Sequence, residues 1–298
     1  FHFIGCGTAY NACCYGKLLF NRFGIPAQAW IASEFCYSHP AFSPRDAFIF
    51  VSQSGETADT IAVLEEILLK GNLCLGIVNK PGTKIPRLTD AGVFIRVGPE
   101  IGVASTKAFT GQMINIVLLA LFLARQRNMT IDTGQRIINE LQTIPEKVDI
   151  ILNQAEKIKE LVVKYSHFRN YYFLGRYFNS VVAQEGALKL KEIAYVHAES
   201  YPLGEMKHGP LALVDPEFCS IVIAPNDSVL PLSRVNIDEI KSRHGPVLAI
   251  TTEGCSLPEA DDVIYVPETL EYLTPLLTTI PCLLYTSPSP RDLSTSRM

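Results

Sequence analysis

A chain of 298 residues with 48% hydrophobic and 19% charged residues is long enough for two cores and too apolar to be disordered. Its 26 Lys and Arg against 30 Asp and Glu give a net charge of −4, which lacks the basic footprint of a nucleic-acid binder. The eight cysteines hold no C-x-x-C pair and are thinly spread over a long chain, which is unlike a small secreted disulfide scaffold and fits a reducing, cytoplasmic setting.

The chain opens on Phe1-His2-Phe3-Ile4-Gly5, with no initiator Met, as if already inside a strand, so a preceding segment is expected. A helix is predicted from about Tyr10. Residues 47–51 are a short apolar run with β-branched and aromatic members, hence a buried strand, and Ile61, Leu64, Ile67 and Leu68 then recur at helical spacing. Strands are predicted again over 73–78 and 92–97. Such alternation argues for a parallel sheet flanked by helices. Helical stretches over 109–127 and 135–165 follow, and the charged second one makes 131–165 a helical connection between units. The apolar run 116–124 is too short to cross a bilayer core of roughly 30 Å and reads as a buried helix, not a membrane span.

The pattern restarts at Tyr171-Tyr172-Phe173-Leu174-Gly175, an echo of Phe3-Ile4-Gly5. Strands over 219–224, 246–251 and 262–266 and helices over 181–195 and 230–243 complete a second α/β unit. From about Cys282 the helical pattern of 270–280 gives way to a tail rich in Ser and Pro, 282–298, which reads as a foreign scar.

The join Ser52-Gln53-Ser54-Gly55-Glu56-Thr57 packs three hydroxyls, an amide and a glycine between a strand and a helix. A helix start offers unpaired N–H groups and a partial positive charge, so these residues suit a phosphate; Ser54 or Thr57 as a simple cap is the plainer alternative. Glu185, Lys189 and Glu192 fall on one helical face, either as a proton-transfer pair with its neighbour or as an exposed Glu–Lys ladder. The segment 198–210 is expected to be a loop, in which His208 is either an acid–base group or a surface histidine. The stretch 100–107 suits close approach of backbone to a ligand, or a helix capped by Ser105. The six histidines lack zinc spacing, so no metal site is expected. Gly5-Cys6-Gly7 begins like a dinucleotide fingerprint but lacks its third glycine.

Five motifs in this order, 6–11, 52–60, 100–109, 185–192 and 204–210, resemble the isomerase part of the glutamine–fructose-6-phosphate aminotransferases, the glucosamine-6-phosphate synthases. The resemblance covers residues 1 to about 281 and implies two doubly wound α/β domains of sugar-isomerase (SIS) type, with parallel sheets flanked by helices, over 1–130 and 166–281. It implies that Ser52, Gln53, Ser54 and Thr57 hold the phosphate of fructose 6-phosphate and that Thr8, Val103 and Ser105 line the sugar. Glu192 would move a proton between C1 and C2 beside Lys189, and His208, reaching in from the partner subunit of a homodimer, would assist ring opening. No cofactor is implied. A glutaminase domain is expected to precede the chain. Ala9 stands where the family usually has serine. The family also ends in a loop whose lysine forms a Schiff base, and no lysine follows Lys241, so binding of sugar phosphate is expected to exceed turnover. A sugar-phosphate-sensing SIS regulator, or a relative that removes an amine, are the competing readings.

Overall fold

The computed structural model describes residues 1–98, 100 and 104–286. The chain divides into two compact units, Phe1–Gln135 and Arg136 onward. In the first, β1 (His2–Gly5), α1 (Thr8–Arg22), β2 (Gln28–Ile31), α2 (Ala32–Ser38), β3 (Ala47–Ser52), α3 (Ala58–Leu69), β4 (Leu73–Val78), α4 (Lys84–Leu88), β5 (Ala91–Phe94) and α5 (Lys107–Arg125) alternate along the chain. The five strands pair in parallel in the order β2-β1-β3-β4-β5. After α6 (Ile131–Leu152) and α7 (Ala155–Tyr165) come β6 (Asn170–Gly175), α8 (Asn179–Ala194), β7 (His197–Pro202), β8 (Phe218–Ile223), α9 (Leu230–Lys241), β9 (Val247–Thr252), β10 (Asp262–Val266) and α10 (Thr274–Thr286). The second sheet, also parallel, has the order β10-β9-β8-β6-β7, which read from β7 is the order of the first with β6 in the place of β1.

The sequence echo is therefore a duplication of topology. Both copies use the same packing device. A Cβ on Gly16 of α1 would come within 2.8 Å of the Phe3 ring, and one on Gly186 of α8 within 2.5 Å of the Phe173 ring, so each helix lies directly on the first strand of its sheet. Helices on both faces bury the central strands at every residue of β3, β8 and β9, which is why these segments read as continuous apolar runs.

Several expectations are corrected. Residues 198–210 are not a loop. They form the edge strand β7 and a 3-10 turn, Leu203–His208, whose Leu203 and Met206 join the core. The edge strand β2, partly exposed along its length, has no predicted counterpart. The helical stretch 135–165 is two helices, and the division between units falls inside the first. The second, α7, belongs with the second unit: Ile158, Leu161 and Tyr165 are buried, and Tyr165 Oη and Lys164 Nζ each donate to Asp262 Oδ2 of β10 at 2.6 Å. Helix α10 runs on through Pro281 to Thr286, taking in the first residues of the expected tail, because Cys282, Tyr285 and Thr286 are buried. Two threonines pin it to α8, with Asn179 Nδ2 donating to Thr274 Oγ1 at 3.0 Å and Thr278 Oγ1 donating to Asn179 Oδ1 at 2.8 Å.

Helix α5 is longer than the apolar run within it. Among the described residues it alone has the length and composition of a membrane span, with 19 residues and a mean hydropathy of 1.6, yet 56% of that window is buried inside the protein. It is a core helix whose buried face includes Phe109, Met113, Ile116 and Val117.

Candidate functional site

In a doubly wound sheet of order 2-1-3-4-5, the chain leaves β1 and β3 toward opposite faces, and the crevice at their carboxyl ends is where ligands bind. Here β1 ends at Gly5 and is followed by Cys6-Gly7-Thr8, and β3 ends at Ser52 and is followed by Gln53-Ser54-Gly55. A cavity of about 210 Å³ sits at this point. Thr8, Ser52, Gln53, Ser54, Thr57 and Ser105 all line it, together with Cys6, Ala9 and Gln112. Sequence reasoning thus placed six residues that the fold brings together. Val103 lies outside the described residues.

The loop after β3 is held in shape by its own polar groups. Ser52, 2% exposed, accepts the Gly55 N–H at 3.0 Å, and its Oγ lies 3.3 Å from Thr57 Oγ1. Ser54 Oγ accepts the Glu56 N–H at 3.2 Å. Both serine oxygens accept from the backbone, so the Ser54 O–H can still donate outward, and of the two hydrogens in the Ser52–Thr57 pair one can lie between the oxygens and the other point outward. Gly55 carries a φ of 70°, and a Cβ there would fall 2.1 Å from Thr83 Oγ1, so only glycine fits. Glu56 Oε1 accepts the Lys84 N–H at 2.7 Å and Gly55 O accepts the Ile85 N–H at 3.0 Å, which straps the loop to α4.

Three helices begin around the cavity, and their starts differ. The start of α5 is already occupied: Glu100 accepts from the Thr106 N–H at 2.7 Å, the Ala108 N–H at 3.2 Å and the Ser105 hydroxyl at 3.0 Å. Ser105 is thus not the cap. Glu100 neutralises that helix end. The starts of α1, at Gly7, and α3, at Thr57, carry no side-chain cap. The start of α3 is flanked by the Ser52 and Thr57 hydroxyls, and the N–H groups and partial positive charge of a helix start favour an anion. The matching place in the second unit is closed. There Asp227 Oδ1 accepts the Val229 N–H at 3.1 Å at the start of α9, so a carboxylate of the chain itself occupies the position. Burial pushes the Asp227 carboxyl up to about 6, with its backbone hydrogen bond opposing and Glu271 reinforcing the shift.

In the second unit, Lys189 is 1% exposed and lies between two carboxylates, 2.5 Å from Glu192 Oε2 and 3.5 Å from Glu185 Oε1. The exposed-ladder reading is corrected for two of the three: Glu185 is also 1% exposed, and only the Glu192 side chain, at 35%, reaches solvent. Spacing alone does not distinguish the cases, because i, i+4 pairs form on a buried helix face as readily as on a wet one. Glu192 can give or take a proton from outside while Lys189 holds it in place. His208 ends the 3-10 turn, exposed.

Two residues of the first site were missed. Gln112 and Glu100 are polar residues whose roles depend on three-dimensional neighbours, though Gln112 does leave one sign, a polar residue on the apolar stripe of α5 that runs through Ala108, Ile116 and Ala120. A larger cavity of about 490 Å³ in the second unit is bordered by Tyr195, His197 and Thr286. Among the described residues, no three of His, Cys, Asp and Glu group as metal ligands.

Two parallel sheets of one order, one of them with a hydroxyl-lined cavity at its switch point, define a duplicated doubly wound α/β domain. The SIS domain family matches residues 2–122 and 164–284, and the chain belongs to it. Within that family it carries the isomerase part of the glutamine–fructose-6-phosphate aminotransferases. It is 47% identical to the glutamine–fructose-6-phosphate aminotransferase (isomerizing) of Bacteroides thetaiotaomicron, over 94% of this chain and 46% of that protein. The chain thus spans about half the length of the curated relatives it matches. Its structure superposes on the C-terminal domain of glucosamine-fructose-6-phosphate aminotransferase from Francisella tularensis with a TM-score of 0.92 at 34% identity, covering 96% of this chain and 82% of that one. A glucosamine-6-phosphate deaminase from Thermotoga maritima shares the fold, with a TM-score of 0.77 at 22% identity, covering 99% of this chain and 85% of that one.

Proposed function

We propose that the chain is the isomerase module of a glutamine-dependent fructose-6-phosphate aminotransferase, which with ammonia forms glucosamine 6-phosphate. The observation that carries this reading is the hydroxyl-lined cavity at the uncapped start of α3. Ser52, Gln53, Ser54 and Thr57 hold the phosphate, and Thr8, Val103 and Ser105 line the sugar. Binding a phosphate remote from the reacting carbons positions them for chemistry. Glu192 is the base that moves a proton between C1 and C2, oriented by Lys189. His208, supplied by the partner subunit of a homodimer, handles the proton of the ring oxygen. The reading requires no metal or organic cofactor, and it places the protein in the cytoplasm, joined to a glutaminase domain that supplies ammonia. A partly exposed carboxylate held by a buried lysine favours an enzyme over a sensor, which needs no base.

The test is proton exchange. Supplied with the lysine-bearing terminal loop of the aminotransferases, the chain should exchange the C1 hydrogen of fructose 6-phosphate with deuterated water, read by NMR. Glu192→Gln should abolish exchange and keep the ligand; undiminished exchange would remove Glu192 from this role.

A further inference from the structure

Gln112 lines the cavity at the carboxyl ends of β1 and β3, is 1% exposed, and its Oε1 is buried without a hydrogen-bond partner. In the same cavity Ser52 pairs with Gly55 and Thr57, Ser54 with Glu56, and Ser105 with Glu100, and none of these bonds reaches Gln112. A buried acceptor left unmet is costly, and native proteins seldom keep one without a use. We propose that Gln112 is a substrate-binding residue, whose amide oxygen accepts a hydrogen bond from a hydroxyl of the sugar held in this cavity. The inference rests on the sugar-phosphate reading above and assigns a further group to that site.

The chemistry of the atom selects the part of the ligand. The phosphate monoester of a sugar is largely a dianion at neutral pH, whose oxygens only accept, so a carbonyl oxygen gains nothing from it. A sugar hydroxyl donates. Gln112 therefore adds nothing to the hold on the phosphate and discriminates a polyol phosphate from inorganic phosphate. It is also a place where stability and binding oppose one another, since an apolar side chain of similar volume would relieve the unmet acceptor in the free protein.

The experiment titrates the full chain with fructose 6-phosphate and, separately, with inorganic phosphate, for wild type, Gln112→Leu and Gln112→Met. Both variants should bind fructose 6-phosphate about tenfold more weakly, bind inorganic phosphate as wild type does, and keep or raise the ligand-free Tm. Unchanged affinity for fructose 6-phosphate in either folded variant would overturn the assignment of Gln112 alone. An equal loss for both ligands would also overturn it, since it would mark a structural role. A wild-type chain that binds inorganic phosphate but not fructose 6-phosphate would instead overturn the sugar reading on which the inference rests.

Discussion

Ser52 Oγ lies 3.3 Å from Thr57 Oγ1, so the last residue of β3 and the residue that begins α3 face each other hydroxyl to hydroxyl across the loop between them. Each can turn its hydrogen toward an anion on the α3 axis. Thr57→Val removes one donor and keeps the shape, and it should weaken inorganic phosphate binding by roughly tenfold. Ser52→Ala should do the same and also lower stability by about 1 kcal/mol, because the Gly55 N–H loses its acceptor. The two losses should not add fully, since the hydroxyls touch. Calorimetric titration of single and double variants measures all three.

Gly55→Ala should destabilise the protein by about 2–4 kcal/mol. Its φ of 70° costs an L-residue about 1–2 kcal/mol, and the new Cβ overlaps Thr83 Oγ1 and the Val78 side chain. Denaturation in urea measures the loss. Adding Thr83→Ala should recover part of it, because that change relieves a clash and leaves the backbone strain.

Lys189→Met should cost about 3–5 kcal/mol, because Glu185 loses its cation inside the core. Glu192→Gln touches a partly exposed carboxylate, and it should move stability by no more than about 1 kcal/mol. Thermal unfolding of both variants therefore separates a supporting cation from a group at the surface. Equal destabilisation by the two would contradict the division of labour drawn between them.

Asp227 gives a pH signature. Its folded pKa of about 6 lies above the ordinary 3.8, so the folded protein holds this proton more tightly than the unfolded chain does. The ionised group therefore weighs on the fold fully above pH about 6, and this burden fades as protons bind and is gone below pH about 4. Asp227→Asn, which can still accept the Val229 N–H, should raise Tm at pH 7 to 8 and should lose that advantage toward pH 4. A gain independent of pH would refute the assignment.

The central strands and the cavity-lining join after β3 could be read from residue type, because burial on both faces demands continuous apolar runs and a cluster of small hydroxyl residues between a strand and a helix stands out in the sequence. The duplication showed only as Phe-Ile-Gly against Phe-Leu-Gly, yet it reflects one strand order built twice. The edge strands β2 and β7 were hidden because Gln28–Ile31 is short and His197–Pro202 is largely polar, whereas the edge strands β5 and β10 keep the pairs Val93-Phe94 and Val263-Ile264 that mark a strand. What sequence could not rank was the helix starts. At α5 Glu100 folds back onto the Thr106 and Ala108 N–H groups and at α9 Asp227 onto that of Val229, and such contacts are a matter of distance that the sequence does not show. Likewise, the burial of Glu185 and Lys189 is set by which face of α8 lies on the sheet.

The most direct test is calorimetric titration of the full chain with fructose 6-phosphate in the presence and absence of inorganic phosphate. The account predicts one saturable site, competition by inorganic phosphate, and weaker binding for Ser52→Ala and Thr57→Val, with Tm confirming that each variant is folded. A folded wild-type chain that binds no fructose 6-phosphate, or binds it with an affinity indifferent to both substitutions, would contradict it.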